Sequence, residues 1–206
     1  MIGNFELKGN VQGAIRSDED MKLIDKKVAD NAFKCYKKRI DVYLKDKGFA
    51  KYKTNSFVRI NSLDVLEYID LQKDRYGSKT FTVNYALIAL YVPHDFLSFD
   101  LCDRLGMLIC GKDVWWDYAE DSIAEVSFQN VIDALDEYLM PYFEQHSSKE
   151  TLKQELLKLK SIREQYGGRL SNDQQAWLNV IDKNLDNSEI IKKNIEVFKL
   201  PSRIVR

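Results

Sequence analysis

Val65-Leu-Glu-Tyr-Ile-Asp-Leu-Gln-Lys-Asp74 and Thr80-Phe-Thr-Val-Asn-Tyr-Ala-Leu-Ile-Ala-Leu-Tyr-Val92 decide the fold. Both runs are rich in β-branched and aromatic residues and are bounded by turn residues, the pattern of β-strands. The loop Asp74-Arg-Tyr-Gly-Ser-Lys79 joins them as a hairpin, with Gly77 free to take a positive φ. Pro93 ends the second strand.

If Gln72 pairs with Thr82, then Asp70 faces Asn84, Tyr68 faces Ala86 and Leu66 faces Ile88. Side chains alternate along a strand, so all of these share one face. The other face carries Leu71, Val83, Ile69, Tyr85, Glu67, Leu87 and Phe81, the expected bed for helices. The first face is apolar at one end, and near the turn it holds a polar quartet of Asp70, Gln72, Thr82 and Asn84. An ionised Asp70 is costly in a dry core unless it is paired, so the quartet is either wet or wired into a network. Arg104 and Arg59 are candidate counter-charges. A wet, concave face bordered by Trp115 and Trp116 would suit a ligand or a partner chain. The simpler reading is an antiparallel sheet that leaves one face to water. A register slip of one residue would dissolve the quartet.

Outward from the hairpin the chain reads as helices at both ends. Ser17-Asp-Glu-Asp20 has the form of a helix cap with acids at the positive end of the dipole. Met21, Ile24, Val28, Ala32, Tyr36, Ile40 and Tyr43 follow at helical spacing, and Gly48 stops the run. Residues 1–16 form an arm without clear periodicity. Phe57–Ile60 reads as a short strand, His94–Asp103 as a crossing loop and Arg104–Cys110 as another strand. A helix over Ser127–Gln145, for which Ser122-Ile-Ala-Glu125 is an alternative capping box at the start, is expected to kink at Pro141. Ser147-Ser-Lys-Glu150, Ser171-Asn172 and Ser188 each open a further helix. Helices segregated to the ends, rather than alternating with strands, predict an α+β fold with an antiparallel sheet. The expected division is a core over 1–147 and an all-helical extension over 148–206 packed on it.

Composition narrows the functional classes. With 31 basic and 32 acidic side chains the net charge is -1, which gives no electrostatic reason to expect nucleic acid or an anionic membrane. The longest apolar run, Tyr85–Val92, is too short to span a bilayer, and the N-terminus lacks the pattern of a signal peptide. Cys35, Cys102 and Cys110 make an odd count without a close pair, so a reducing cytoplasm is the expected compartment. Isolated cysteines of this kind behave as small apolar residues.

No catalytic signature, phosphate loop or metal-ligand spacing is present, and neither a cofactor nor a metal is expected. His94 and His146 read as surface histidines, because adjacent side chains such as His94 and Asp95 point apart on an extended segment. Asp113, Asp117, Glu120 and Asp121 cluster around the tryptophans, a set more in keeping with a solvated loop than with acid–base or cation chemistry. Two adjacent indoles cannot both face inward on a strand, so one of Trp115 and Trp116 is expected at the surface or in a cleft unless a helix covers both.

Seven short segments resemble, in order, a bacterial family known as the domain of unknown function numbered 4304. They are Lys47-Gly-Phe49, Phe57-Val-Arg59, Ile69-Asp-Leu-Gln-Lys73, Phe81-Thr-Val-Asn84, Arg104-Leu-Gly-Met-Leu108, Asp113-Val-Trp-Trp116 and Tyr138-Leu-Met-Pro-Tyr-Phe143. The similarity covers about residues 30–147. It implies an α+β fold and brings no activity. Gln72, Asn84, Arg104, Trp115 and Trp116 fall on the matching segments, which marks them as candidates; the helical extension departs from the family's pattern.

The expectation is a cytoplasmic binding module that recognises another protein in the manner of an immunity or regulatory protein. Its candidate cleft is Asp70, Gln72, Thr82, Asn84, Arg104, Trp115 and Trp116. The alternative is an enzyme of unassigned reaction on the same polar face, with Asp70 as acid or base and Arg104 holding an anionic group.

Overall fold

The computed structural model describes residues 26–183 and 185–204. The cap expected at Ser17, the positions Met21 and Ile24 and the arm over 1–16 lie outside the described residues. In chain order the elements are α1 (Lys26–Asp46), β1 (Ala50–Lys51), β2 (Ser56–Ile60), β3 (Val65–Lys73), β4 (Thr80–Ala89), β5 (Leu101–Arg104), α2 (Leu105–Cys110), β6 (Trp116–Asp117) and α3 (Asp121–Ala134). A π-helical turn (Leu135–Leu139), α4 (Met140–Gln145), α5 (Lys149–Gln165), α6 (Asn172–Val180), α7 (Ser188–Phe198) and a 3-10 turn (Ser202–Ile204) complete them. The strands form one antiparallel sheet in the order β1-β2-β3-β4-β5, with β6 paired to β4 off that path. The fold is α+β, as the segregation of helices to the chain ends predicts.

Two compact units make up the described chain, each discontinuous in sequence. The first comprises the described residues of Met1–Lys47 with Leu71–Asn84 and Arg104–Leu139; the second comprises Gly48–Asp70, Tyr85–Asp103 and the described residues of Met140–Arg206.

In the first unit α1 buries Ala29, Ala32, Phe33, Tyr36, Ile40 and Leu44, while Val28 is half exposed. Ala32, Tyr36 and Ile40 of the expected stripe are thus buried, while Ala29, about 100° around the helix, takes the place of Val28 and Phe33 is the main anchor. Phe33 meets Phe81, Tyr118 and Phe128 with ring centroids 5.3, 5.0 and 5.3 Å apart. Edge-on rings at this spacing gain about 0.5–1.5 kcal/mol per pair beyond their burial. The hairpin loop is closed by the Asp74 amide donating to the Thr80 carbonyl at 2.9 Å, the bond expected where Gln72 lies opposite Thr82. The Asp74 carboxylate accepts from the Tyr76 and Ser78 amides, and Gly77 has φ 100°.

The strand expected over Arg104–Cys110 is instead β5 running directly into the helix α2. A six-residue helix shows too little periodicity to be told from a strand. Gly111 ends it at φ 69°, its N–H donating to the Met107 carbonyl. The kink expected at Pro141 takes the form of the π-helical turn just ahead of it. Proline has no N–H to donate and its ring crowds the carbonyl four residues back, so the hydrogen-bond pattern widens there.

In the second unit β2 pairs with β3 so that Ser56 lies opposite Asp70, Val58 opposite Tyr68 and Ile60 opposite Leu66. The apolar end of the hairpin's first face belongs here. Leu66, Tyr68, Ala86 and Ile88 pack with Val58, Leu90, Phe198 and Leu200, so α7 and the residue after its cap close over them. The helix start read at Ser147-Ser-Lys-Glu150 falls on Ser148, which accepts from the Thr151 amide, and that at Ser171 holds, with a reciprocal capping box to Gln174. Among the described residues no helix is long and apolar enough to cross a membrane.

Candidate functional site

The residues expected to form one cleft take several separate roles. In the first unit Thr82 is fully buried and donates to the Val114 carbonyl at 3.0 Å. Asn84 donates to the Gln72 side-chain oxygen at 2.8 Å, at the surface. Arg104 pairs with Asp113 and its guanidinium stands 5.3 Å from the Trp115 ring centroid. Trp116 is not with them. It lies opposite Phe81 in the β4–β6 pairing, its ring 6.0 Å from that of Phe81, and is 2 % exposed. Alternation along the strand sends one indole inward and leaves the other half-buried beside Arg104. Asp70, in the second unit, accepts from Ser56 at 2.9 Å, and Ser56 in turn accepts from Tyr68. The acids around the tryptophans are dispersed as well: Asp121 accepts from Tyr36, and Asp117 from the Ala119 amide.

A centre that the sequence did not reveal lies in the second unit. The histidines expected at the surface are both buried, His94 at 3 % and His146 at 5 % exposure. His146 stacks near Tyr142 at 4.1 Å, and its Nδ1 lies 2.8 Å from the Tyr142 carbonyl. His94 sits between two carboxylates. Its Nε2 is 3.7 Å from Asp100 Oδ2 and its Nδ1 is 3.6 Å from Asp173 Oδ2. Ser98 Oγ is 3.1 Å from His94 Nδ1, 2.9 Å from Asp173 Oδ2 and 3.5 Å from Asp100 Oδ1.

The tautomer follows from the partners. His94 Nε2 is 3.0 Å from the Ala89 carbonyl, which only accepts, so Nε2 carries a proton and Nδ1 faces Ser98 and the acids. Burial pushes the Asp100 carboxyl up to about 6, with His94 pulling it down and Asp173 raising it again. Its Oδ2 is buried and makes no hydrogen bond.

Two side chains fix this centre from outside. Gln174, the third residue of α6, closes the capping box with Ser171 and also donates to the Asp100 carbonyl. It thereby ties the start of α6, and Asp173 with it, to the loop 93–100. Asn194 of α7 is fully buried and donates to the Leu90 and Val92 carbonyls at 2.7 and 2.6 Å. Its oxygen accepts from the His94 amide at 3.2 Å. Buried amides that both donate and accept in this way hold backbone in one geometry.

The sequence matches the family described as "Domain of unknown function (DUF4304)" over residues 40–145, just over half of the chain. The chain belongs to the DUF4304 family. Neither the curated proteins nor the solved structures gave a match to it. The DUF4304 segment supplies His94, Ser98 and Asp100; Asp173, Gln174 and Asn194 come from residues beyond it. The arrangement can hold a proton between imidazole and carboxylate, ligate a cation, or rigidify the loop above it. That loop exposes Phe96 and Phe99. Elsewhere in the second unit a cleft of about 550 Å³ is lined by Tyr91, Ile181, Ile191, Lys149 and Lys183 among others. The Tyr91 hydroxyl there accepts from Trp177 at 2.7 Å.

Proposed function

We propose that this DUF4304 protein acts by binding another protein, and that its recognition element is the Pro93–Asp100 loop of the second unit. One observation carries the reading: Phe96 and Phe99 are 69 % and 46 % exposed on a loop pinned through the buried His94 and Asp100. Aromatic side chains held on a fixed backbone lose little freedom on binding, which suits them as anchors. The Tyr68 ring stands 4.9 Å from that of Phe99 and supports it from behind. Asp95 is exposed beside Phe96, so the matching partner presents an apolar pocket rimmed by Lys or Arg. A role of the immunity or regulatory kind, acting by occupancy rather than turnover, fits such an element. The enzyme alternative draws less support, since Thr82 is committed to Val114 and Gln72 to Asn84.

Affinity capture from cells of the protein's source, with the wild-type chain and a Phe96→Ala/Phe99→Ala variant as baits, tests this. Each anchor truncated costs about 2 kcal/mol, so the double variant should bind its partner at least ~100-fold more weakly. Its melting temperature should fall by no more than a few degrees, because Phe96 is exposed and Phe99 loses only its packing on Tyr68. A partner retained equally by both baits, or none retained by either, would count against the reading.

A further inference from the structure

We infer that His94, Asp100 and Asp173, with Ser98 as a fourth donor, form a binding site for one divalent cation of the Zn2+ or Mn2+ type. One donor atom from each of the three titratable residues lies within 4.8 Å of the others. The distances from Ser98 Oγ to His94 Nδ1, Asp173 Oδ2 and Asp100 Oδ1 are 3.1, 2.9 and 3.5 Å, and that from His94 Nδ1 to Asp173 Oδ2 is 3.6 Å. A tetrahedron with ligand bonds of about 2.1 Å has edges of about 3.4 Å, so these four donor pairs stand near ligand-to-ligand spacing. One imidazole with two carboxylates suits borderline and moderately hard ions, and the set holds no thiolate for a soft one.

Two further features separate this centre from an ordinary polar core. A ligating histidine usually donates its other ring N–H to a carbonyl or carboxylate, which fixes the tautomer. Ala89 accepts from Nε2 here, which turns the Nδ1 lone pair toward Ser98 and the acids. The Asp100 carboxylate is also buried with its Oδ2 lacking a hydrogen-bond donor, a costly state whose charge a cation held at Oδ1 would offset. Entry is through Asp173, whose side chain is 36 % exposed while those of His94 and Asp100 are at 0 and 1 %. Gln174 and Asn194 hold the donors in place without ligating. The inference concerns side chains beneath the loop and does not depend on the proposed protein partner.

Isothermal titration of the chelator-treated full chain with Zn2+ and, separately, with Mn2+ tests it, alongside thermal melts and the visible spectrum of the Co2+ form. The expected result is one equivalent bound per chain, a melting temperature that rises with ion concentration, and a Co2+ spectrum of low coordination number. Asp173→Asn, at the exposed edge, should weaken binding at least ~10-fold and leave the metal-free melt unchanged. Asp100→Asn, which keeps the shape and removes the buried charge, should also lose the ion and bleach the Co2+ spectrum. Failure of both Zn2+ and Mn2+ to bind at millimolar concentration, or wild-type binding by either variant, overturns the site.

Discussion

A Cβ on Gly106 would stand 2.4 Å from the Lys112 carbonyl oxygen and 2.6 Å from the Val114 amide nitrogen. Both are backbone atoms of the segment that leads into β6, so neither can swing aside. Gly106→Ala should therefore destabilise the protein by about 1–3 kcal/mol in urea unfolding, a clash that outweighs the entropy gained by restricting the unfolded chain. Glu67 shows a different constraint. It is 2 % exposed and accepts from Arg59 at 2.6 Å, yet burial pushes its carboxyl above the ordinary 4.5 against the pull of that arginine. The native state then holds the Glu67 proton more tightly than the unfolded state does. Its contribution to stability is fully present below pH 4.5 and is lost as pH rises through the raised value. Glu67→Gln should flatten the stability profile over that window in urea titrations at a series of pH values. The sequence put Glu67 on the core face but gave no sign of its cost. His94 reads as a surface residue and is buried for a related reason: its partners at 98, 100 and 173 are brought to it by chain folding, while its sequence neighbour Asp95 is exposed. The legible traces were Ser98 and Asp100 close by and the Ser171–Gln174 capping box.

At the scale of elements, the hairpin and most helices were legible because each repeats a period or carries a cap. Gly77 and Gly111 adopt positive φ where a turn and a helix end require it. The polarity gradient along the hairpin's first face was also informative. Its apolar half, Leu66, Tyr68, Ala86 and Ile88, is where α7 packs, and its polar half carries the Gln72–Asn84 bond. The short helix α2 was not legible, since six residues between a strand and a glycine carry no decisive period. Neither was the exposure of Val28, which differs from buried Ala29 by one step of the helix. The link between α7 and the loop 93–100 rests on Asn194. Asn194→Ala would strand the Leu90 and Val92 carbonyls and the His94 amide, each costing about 1–3 kcal/mol when buried. Unfolding in urea should show a loss of about 3 kcal/mol or more, with faster amide exchange across residues 90–94. Asn84→Ala, at an exposed pair, should stay within about 0.5 kcal/mol.

For the whole molecule, basic and acidic side chains nearly balance at a net charge of -1, and among the described residues no helix is long and apolar enough to cross a membrane. The two compact units are each assembled from separate stretches of chain, and β3 and β4 contribute residues to both. The second unit combines part of the DUF4304 segment with helices beyond it, and His94 is where those contributions meet. The proposed recognition element is one loop, pinned from beneath and presenting two aromatic rings. A photoreactive benzoylphenylalanine in place of Phe96, irradiated in cells of the protein's source, reads that loop directly. The same probe in place of Tyr166, which is 86 % exposed, serves as the control. The account predicts a discrete covalent adduct with one protein from position 96 and none from position 166. No adduct from position 96, or the same adduct from both positions, would contradict it.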